Sequence, residues 1–353
     1  MIKTPTKFIA LLSGAAFLMS SAFAQGVTTA PVGYTSFSVG ANADLKVGMA
    51  LAQAPAYAAA VDTVVAGTVT VTTTVPDITT AAHYLWVSSG ALTGQWFVVT
   101  GYTASSLTVA EDLAGAGLVA ADSFQVVPFW TLGSLLPNGG GLPTTDNPNS
   151  ANSFVFFNDV TAEGINLSAS GGTYFPFDNG SVSGWLDASS PTGFVDDSVV
   201  ISPSSYLTFR NVTGSAESVL IAGSVPVYPV SNQVVSRAAG PQDNQVFLPY
   251  PADTLIGDIG LVAAGAISST DNPNVVEDFL LVFSQAPAGL NPSASATYFH
   301  FDNGSVSGWL DASNPAAFVD DIVTIPASSA LIVRRAASSD TVVEWAPAVP
   351  YSL

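Results

Sequence analysis

Short apolar runs alternate with turn-forming residues along almost the whole chain. The clearest runs are β-branched or aromatic, and Gly, Pro, Asn and Asp separate them at strand-length intervals. They occupy residues 68–75, 96–100, 107–110 and 124–127. Helical periodicity is almost absent beyond the N-terminal segment. This pattern is typical of β-sandwiches and β-barrels, so the sequence predicts an all-β protein.

A block of 13 residues, FDNGSVSGWLDAS, occurs at residues 177–189 and again, without a difference, at residues 301–313. Flanking motifs also match: Asp-Asn-Pro-Asn begins at positions 146 and 271, and Phe-Val-Asp-Asp begins at positions 194 and 318. The two copies of the block begin 124 positions apart, which is too long for a solenoid repeat. The matches therefore predict a tandem duplication of a whole β module.

The chain divides into five segments on these patterns. Residues 1–24 have the features of a signal peptide, residues 25–128 of a small β-barrel or sandwich unit, and residues 227–251 of a connection rich in Ser, Pro and Gln. The duplicated β-sandwich-like modules occupy the remaining two segments, residues 129–226 and 252–353. The expected architecture is therefore an N-terminal β unit followed by two tandem modules.

The N-terminus predicts export. Two lysines precede an apolar run at residues 8–19, and Ala22-Phe23-Ala24 forms a small-residue cleavage site before Gln25. The later segments are too short or too interrupted to span a bilayer, so membrane insertion is not expected. Together with the absence of cysteine, these features predict an exported protein, secreted, periplasmic or at the cell surface, that is stabilised by packing instead of disulfides.

The charge balance excludes several partners. The chain has 26 acidic and seven basic residues, and removing the signal segment changes the formal net charge from −19 to −21, because it removes Lys3 and Lys7 and no acidic residue. Nucleic acids and anionic membranes require clustered basic residues, so neither is an expected partner. Self-association or a surface polysaccharide remains open as a partner.

The acidic and amide residues of the two blocks form a candidate metal site. Calcium takes six to eight oxygen ligands, and no other cofactor is indicated. The candidate ligands are Asp178, Asn179, Asp187, Asp196 and Asp197 in the first copy, and Asp302, Asn303, Asp311, Asp320 and Asp321 in the second. The block departs from the D-x-[DN]-x-[DN]-G calcium loop. Turn capping is the alternative role, because Asn-Gly favours a tight hairpin turn.

Two tryptophans in the blocks form a candidate ligand-binding surface. Trp185 and Trp309 stand on the predicted return strands of the hairpins, beside Asp and Asn residues. An exposed indole could stack on a sugar ring while short polar side chains bind hydroxyls. The alternative is that both side chains belong to the core. Exposure of the two rings separates these hypotheses.

Catalytic motifs are lacking. The sequence has neither G-x-S-x-G nor H-E-x-x-H, and its two histidines, His83 and His300, lie in different segments. A glycosidase needs two carboxylates across a sugar, and no pair is singled out. The expectation is a non-catalytic structural or adhesive protein of the cell surface or extracellular matrix. A carbohydrate-binding module protein is the alternative, and a polysaccharide hydrolase is a third hypothesis.

Several short motifs extend over nearly the whole chain beyond the signal segment: Gly33-Tyr34, Trp130-Thr131-Leu132-Gly133 and Gln242-Asp243-Asn244. Gly-x-Asn-x-Ser-Ala-Ser segments at residues 164–170 and 289–295 add to them. With these motifs the sequence resembles a family of exported proteins without an assigned activity, found mainly in Verrucomicrobia and related Gram-negative bacteria, and the prediction of a Gram-negative source comes from this resemblance. The resemblance implies export and leaves the function open. It carries no catalytic or binding residues to this chain.

Overall fold

The structure is a computed structural model that describes residues 31–169 and 171–352. The expected signal peptide and its cleavage site lie outside these residues. The first nine strands are β1 (Val32–Val39), β2 (Ala43–Gly48), β3 (Tyr57–Ala60), β4 (Thr63–Val65), β5 (Thr68–Thr70), β6 (His83–Val87), β7 (Trp96–Thr103), β8 (Ser106–Val109) and β9 (Ser123–Pro128). A one-turn helix, α1 (Leu113–Ala116), precedes β9.

The central part of the chain adds seven strands and a second short helix. The strands are β10 (Trp130–Thr131), β11 (Ser153–Phe157), β12 (Gly172–Asp178), β13 (Ser183–Asp187), β14 (Val200–Ile201), β15 (Tyr206–Asn211) and β16 (Glu217–Ser224). Helix α2 (Leu132–Leu135) is followed by a 3-10 turn at Pro137–Gly139.

The C-terminal part has ten further strands and a 3-10 turn at Ile256–Asp258. These strands are β17 (Asn232–Ser236), β18 (Gln242–Phe247), β19 (Thr254–Leu255), β20 (Phe279–Val282), β21 (Ala296–Asp302), β22 (Ser307–Asp311), β23 (Asn314–Phe318), β24 (Thr324–Ile325), β25 (Ala330–Arg335) and β26 (Thr341–Trp345). The described chain is therefore nearly all β, and the predicted fold class is confirmed.

Residues 57–128 form a seven-stranded antiparallel sheet of order β3-β9-β6-β7-β8-β5-β4, which we call the insertion. Strand β7 connects its two halves, pairing with β6 near Trp96 and with β8 beyond Val99, where the register shifts. This irregularity lets the sheet curl around a core of apolar side chains that includes Leu85, Leu107 and Phe124.

The first two strands do not belong to that sheet. Strand β2 pairs with β15 and strand β1 pairs with β16, so residues 32–48 complete the sheets of residues 130–224. Val39 and Leu45 lie in one core with Trp185 and Phe209. We call this assembly the first module. The sequence pattern groups residues 32–48 with the insertion. It does so because the paired strands are more than 150 positions apart, and no local pattern indicates such a pairing.

The second module comprises residues 232–345 and shows the same pairing pattern. Strands β17 and β18 pair with β26 and β25, just as β1 and β2 pair with β16 and β15. The hairpin β21-β22 repeats the register of β12-β13: Tyr298 faces Asp311, and Tyr174 faces Asp187. The segment expected to be a connection, residues 227–251, thus supplies two strands of this module.

The two modules pack against each other through an apolar cluster near β2, β15, β18 and β25. Tyr206, Phe247 and Phe283 are buried in this cluster. A Cβ atom at Gly48 would lie 2.1 Å from the ring of Phe247, so glycine allows this aromatic ring to approach the backbone of β2. Within the described residues, no helix is long and apolar enough to cross a membrane.

Candidate functional site

The turn of the repeated hairpin is capped by its own side chains. In the first copy, Asp178 Oδ1 accepts from the Gly180 N–H at 2.8 Å, and Asn179 Oδ1 accepts from the N–H groups of Ser181 and Val182, both at 3.0 Å. The second copy repeats these bonds with Asp302 and Asn303 as acceptors, at the same distances. The Asp and Asn side chains thus satisfy backbone donors that the turn leaves unpaired.

The far end of each hairpin has a second local cap. Asp187 Oδ1 accepts from both the N–H and the hydroxyl of Ser189 at 2.7 Å. Asp311 accepts from Ser313 in the same way, and these bonds lower the pKa of Asp311. Each carboxylate is therefore engaged with the chain two residues further on.

Asp196 and Asp320 bind the backbone of the tryptophan strands. Asp196 Oδ2 accepts from the Trp185 N–H at 3.0 Å, and Asp320 Oδ2 accepts from the Trp309 N–H at 2.9 Å. The following residues, Asp197 and Asp321, are exposed. The glycine before each tryptophan leaves room for this bond: a Cβ atom at position 184 would lie 2.7 Å from the carboxylate of Asp196.

The candidate calcium ligands are thus distributed over separate turns. Asp178 binds the backbone at the turn of the hairpin, Asp187 binds it at the far end, and Asp196 binds it in the middle of β13. Across residues 31–169 and 171–352, no group of three or more His, Asp or Glu side chains is placed to hold a metal ion. The candidate ligands of each copy therefore bind separate backbone donors or are exposed, and the structure does not bring them together.

Trp185 and Trp309 are core residues in this structure, being 1% and 3% exposed. The indole of Trp185 donates to Leu136 O at 3.0 Å. Stacking on a sugar requires an accessible ring face, and burial removes it at both positions. The sugar-platform interpretation of these two residues is therefore corrected: each ring fills the centre of its own module.

The two histidines occupy structural positions far apart in the sequence. His83 is buried at the start of β6, with Nδ1 2.8 Å from Ala81 O. His300 Nδ1 lies 2.8 Å from the hydroxyl of Ser269, and burial lowers the pKa of its ring. Each imidazole hydrogen-bonds a residue outside the strands.

A buried ion pair of the first module contacts the second module. Arg210 donates from Nε and Nη2 to the two oxygens of Asp44 at 2.6 and 2.7 Å, and Nη2 also donates to Asn291 Oδ1 at 2.9 Å. The Asn291 N–H donates to the same carboxylate at 2.7 Å. We call Asp44, Arg210 and Asn291 the first clamp. The Asp44 carboxylate raises the pKa of Arg210.

The same arrangement occurs with the modules exchanged. Arg334 donates to both oxygens of Asp243 at 2.7 and 2.9 Å and to Asn166 Oδ1 at 3.0 Å. The Asn166 N–H donates to Asp243 at 2.7 Å. This second clamp takes its asparagine from the first module and its ion pair from the second. Each module therefore places one loop on the ion pair of the other.

The Gly-x-Asn motifs are recognisable in the sequence, but their role in the clamps is not. Asn166 and Asn291 adopt positive φ angles of 57° and 51°, which asparagine tolerates better than most residues. The backbone carbonyls of Gly164 and Gly289 accept from the N–H groups of Asp243 and Asp44. The sequence feature that could have indicated the clamps is the recurrence of Gly-x-Asn together with an arginine near the end of a later strand in each copy.

A cleft of about 410 Å³ opens where the insertion meets both modules. Strand β7 of the insertion forms one wall, the loop at residues 159–167 forms another, and strands β17 and β18 form the floor. Trp96 and Val98 line it from β7, and Gln233, Gln245 and Glu344 line it from the second module. The cleft is therefore lined by the insertion and by both modules. The second module has no insertion in the corresponding position.

Most carboxylates of the cleft already have protein partners. Asp243 binds Arg334, and Glu344 accepts from the Ser231 hydroxyl and, at 2.9 Å, from Gln233 Nε2. Hydrogen bonds from Thr161 lower the pKa of Asp159, which favours its ionised form. A general acid requires the opposite shift.

Comparison of the chain with protein-family models, with curated proteins and with solved structures finds no match. The resemblance to exported bacterial proteins without an assigned activity therefore stays a prediction.

Proposed function

We propose that this chain is a non-catalytic exported protein with a structural or adhesive role at the cell surface or in the extracellular matrix, built from two copies of one β module. The observation that carries the proposal is the reciprocal pair of clamps. An architecture that fixes two modules against each other suits a protein whose task is to hold a shape.

The repeated block supports the same role. Its carboxylates and amides cap turns or bind the backbone of the tryptophan strands, and both tryptophans fill module cores. These residues are then required for the fold of each module. The chain has no cysteine, so these hydrogen bonds and buried side chains stabilise the fold in place of the disulfides found in many exported proteins.

Two measurements test the proposal. Antibody labelling of intact cells of the source bacterium should detect the protein without permeabilisation, and the purified mature protein should release no reducing sugar from cell-surface polysaccharides. Labelling that requires disruption of the cytoplasmic membrane would contradict the localisation. Sugar release that disappears in Glu111→Gln or Glu344→Gln would contradict the non-catalytic role, because both carboxylates line the cleft.

A further inference from the structure

The cleft has the size and the walls of a ligand site. Its volume of about 410 Å³ falls within the range of about 300 to 1,000 Å³ that is usual for small-ligand pockets. One wall and the floor come from paired strands, β7 for the wall and β17 and β18 for the floor, which hold their side chains in fixed positions. The clamp at Asp243 and Arg334 lies beside the floor and fixes the two modules at this point.

One wall of the cleft presents apolar surface. Successive residues of a strand point to opposite faces, so Trp96 and Val98 share one face of β7 while Phe97 packs toward the core of the insertion. Trp96 packs against Tyr84 and Phe129 at ring-centroid distances of 6.0 and 6.1 Å, with nearly perpendicular ring planes. These contacts fix an aromatic side chain at the wall before any ligand arrives.

The floor presents hydrogen-bonding groups of both kinds. The amides of Gln233 and Gln245 can donate and accept, and the carboxylate of Glu344 accepts. Gln233 already holds Glu344 in place through one of its two N–H donors. A ligand that carries many hydroxyl groups matches this floor, because each hydroxyl both donates and accepts.

The charges of the cleft select against anionic ligands. Glu111, Asp159, Asp243 and Glu344 line it, and Arg237 is the basic residue among its lining residues. Arg237 is paired with Glu163 at 3.3 Å. Together with the net charge of −19, this lining repels phosphates and uronic acids.

We propose that the cleft between the insertion and the two modules binds a neutral oligosaccharide, with Trp96 and Val98 contacting the sugar faces and Gln233, Gln245 and Glu344 binding hydroxyl groups. This inference depends on the proposed function only in placing the ligand outside the cell. It assigns binding to a surface other than the repeated block.

Isothermal titration calorimetry on the full mature chain tests the proposal with four neutral probes: cellohexaose, laminarihexaose, chitohexaose and mannohexaose. Hexagalacturonic acid serves as the anionic probe and spermidine as the cationic one. At least one neutral probe should bind with a Kd of about 1 mM or tighter, and hexagalacturonic acid should not bind.

Three variants locate the binding. Trp96→Ala removes the aromatic wall, and Val98→Arg fills the cleft from a position that is 45% exposed, so it leaves the core intact. Each should weaken binding by about tenfold or more. Tyr34→Ala removes an aromatic side chain that is 78% exposed on β1 and should leave binding unchanged. Circular dichroism and melting curves establish that every variant is folded.

Three outcomes would overturn the proposal: none of the neutral probes binds, a probe binds with equal affinity to the wild type and to folded Val98→Arg, or spermidine alone binds. Cell labelling separates this failure from failure of the proposed function. A chain that labels on intact cells and binds no probe would retain its structural role and lose the cleft as a sugar site.

Discussion

At the scale of single residues, the decisive groups are two buried carboxylates. The side chains of Asp44 and Asp243 are 2% and 0% exposed, and each is held by a bidentate arginine. Burying an ion pair is costly, and the pair is tolerated because both oxygens are fully hydrogen-bonded. Removing the arginine leaves a charge with no compensation inside the protein.

Replacing either clamp arginine should therefore be strongly destabilising. Arg210→Met and Arg334→Met are each expected to lower the free energy of unfolding by about 3 to 5 kcal/mol. Arg237→Met is the matched control, because its ion pair with Glu163 is largely exposed and should contribute only about 0 to 1 kcal/mol. Urea denaturation measures all three. Equal effects in the three variants would contradict the role of the clamps.

A second residue-scale prediction concerns acid. Hydrogen bonds from the Tyr102 hydroxyl and from Thr79 lower the pKa of Asp77 from 3.8 to about 2. A lowered folded-state pKa stabilises the fold above the unfolded value and loses that effect as the pH falls from about 4 to about 2. Asp77→Asn should flatten the dependence of the melting temperature on pH in this window. An unchanged slope would show that these bonds do not form in solution.

At the scale of elements, the repeated hairpin shows how much local sequence could predict. The Asn-Gly turn and its flanking strands were expected and are present as β12-β13 and β21-β22. Four of the strands of the insertion also match apolar runs read from the sequence, although the run at residues 68–75 yields only Thr68–Thr70. Local propensity and turn chemistry suffice for such elements. The partners of β1 and β2 were missed, because pairing between distant strands depends on the packing of the whole module.

Substituting the glycine before each tryptophan tests the packing of the hairpin most directly. A Cβ atom at Gly184 would lie 2.5 Å from the ring of Phe194, and one at Gly308 would lie 2.5 Å from the carboxylate of Asp320. Gly184→Ala and Gly308→Ala should each cost about 1 to 3 kcal/mol by overpacking. Gly193→Ala is the control, since nothing lies within 4 Å of its added Cβ. Similar melting temperatures for Gly184→Ala and Gly193→Ala would refute the packing argument.

Calcium should not change the stability of the hairpins. The block carboxylates cap separate turns, so a bound ion would have to break those bonds before it could gather ligands. Thermal melting in calcium and in chelator should coincide for the wild type and for the Asp187→Ala, Asp311→Ala double variant. A calcium-dependent rise in the wild type that the double variant lacks would restore the metal hypothesis.

At the scale of the molecule, the two modules and the insertion depend on one another. Each module supplies the asparagine of the other module's clamp, and Phe247 of the second module packs over Gly48 of the first. The Trp86 indole of the insertion donates to Pro229 O at 2.9 Å, three residues before the second module begins. The duplication was visible in the sequence, whereas these contacts between modules were not, because the residues concerned carry no local pattern that distinguishes an interface from a surface turn.

The central claim is that the reciprocal clamps make the two modules one cooperative unit. Hydrogen exchange followed by mass spectrometry, under conditions where exchange reports global unfolding, tests it most directly. Peptides from β11 and β15 should exchange at the same rate as peptides from β20 and β25, and Arg334→Met should accelerate both sets together. Exchange of one module about tenfold or more ahead of the other in the wild type would contradict the claim.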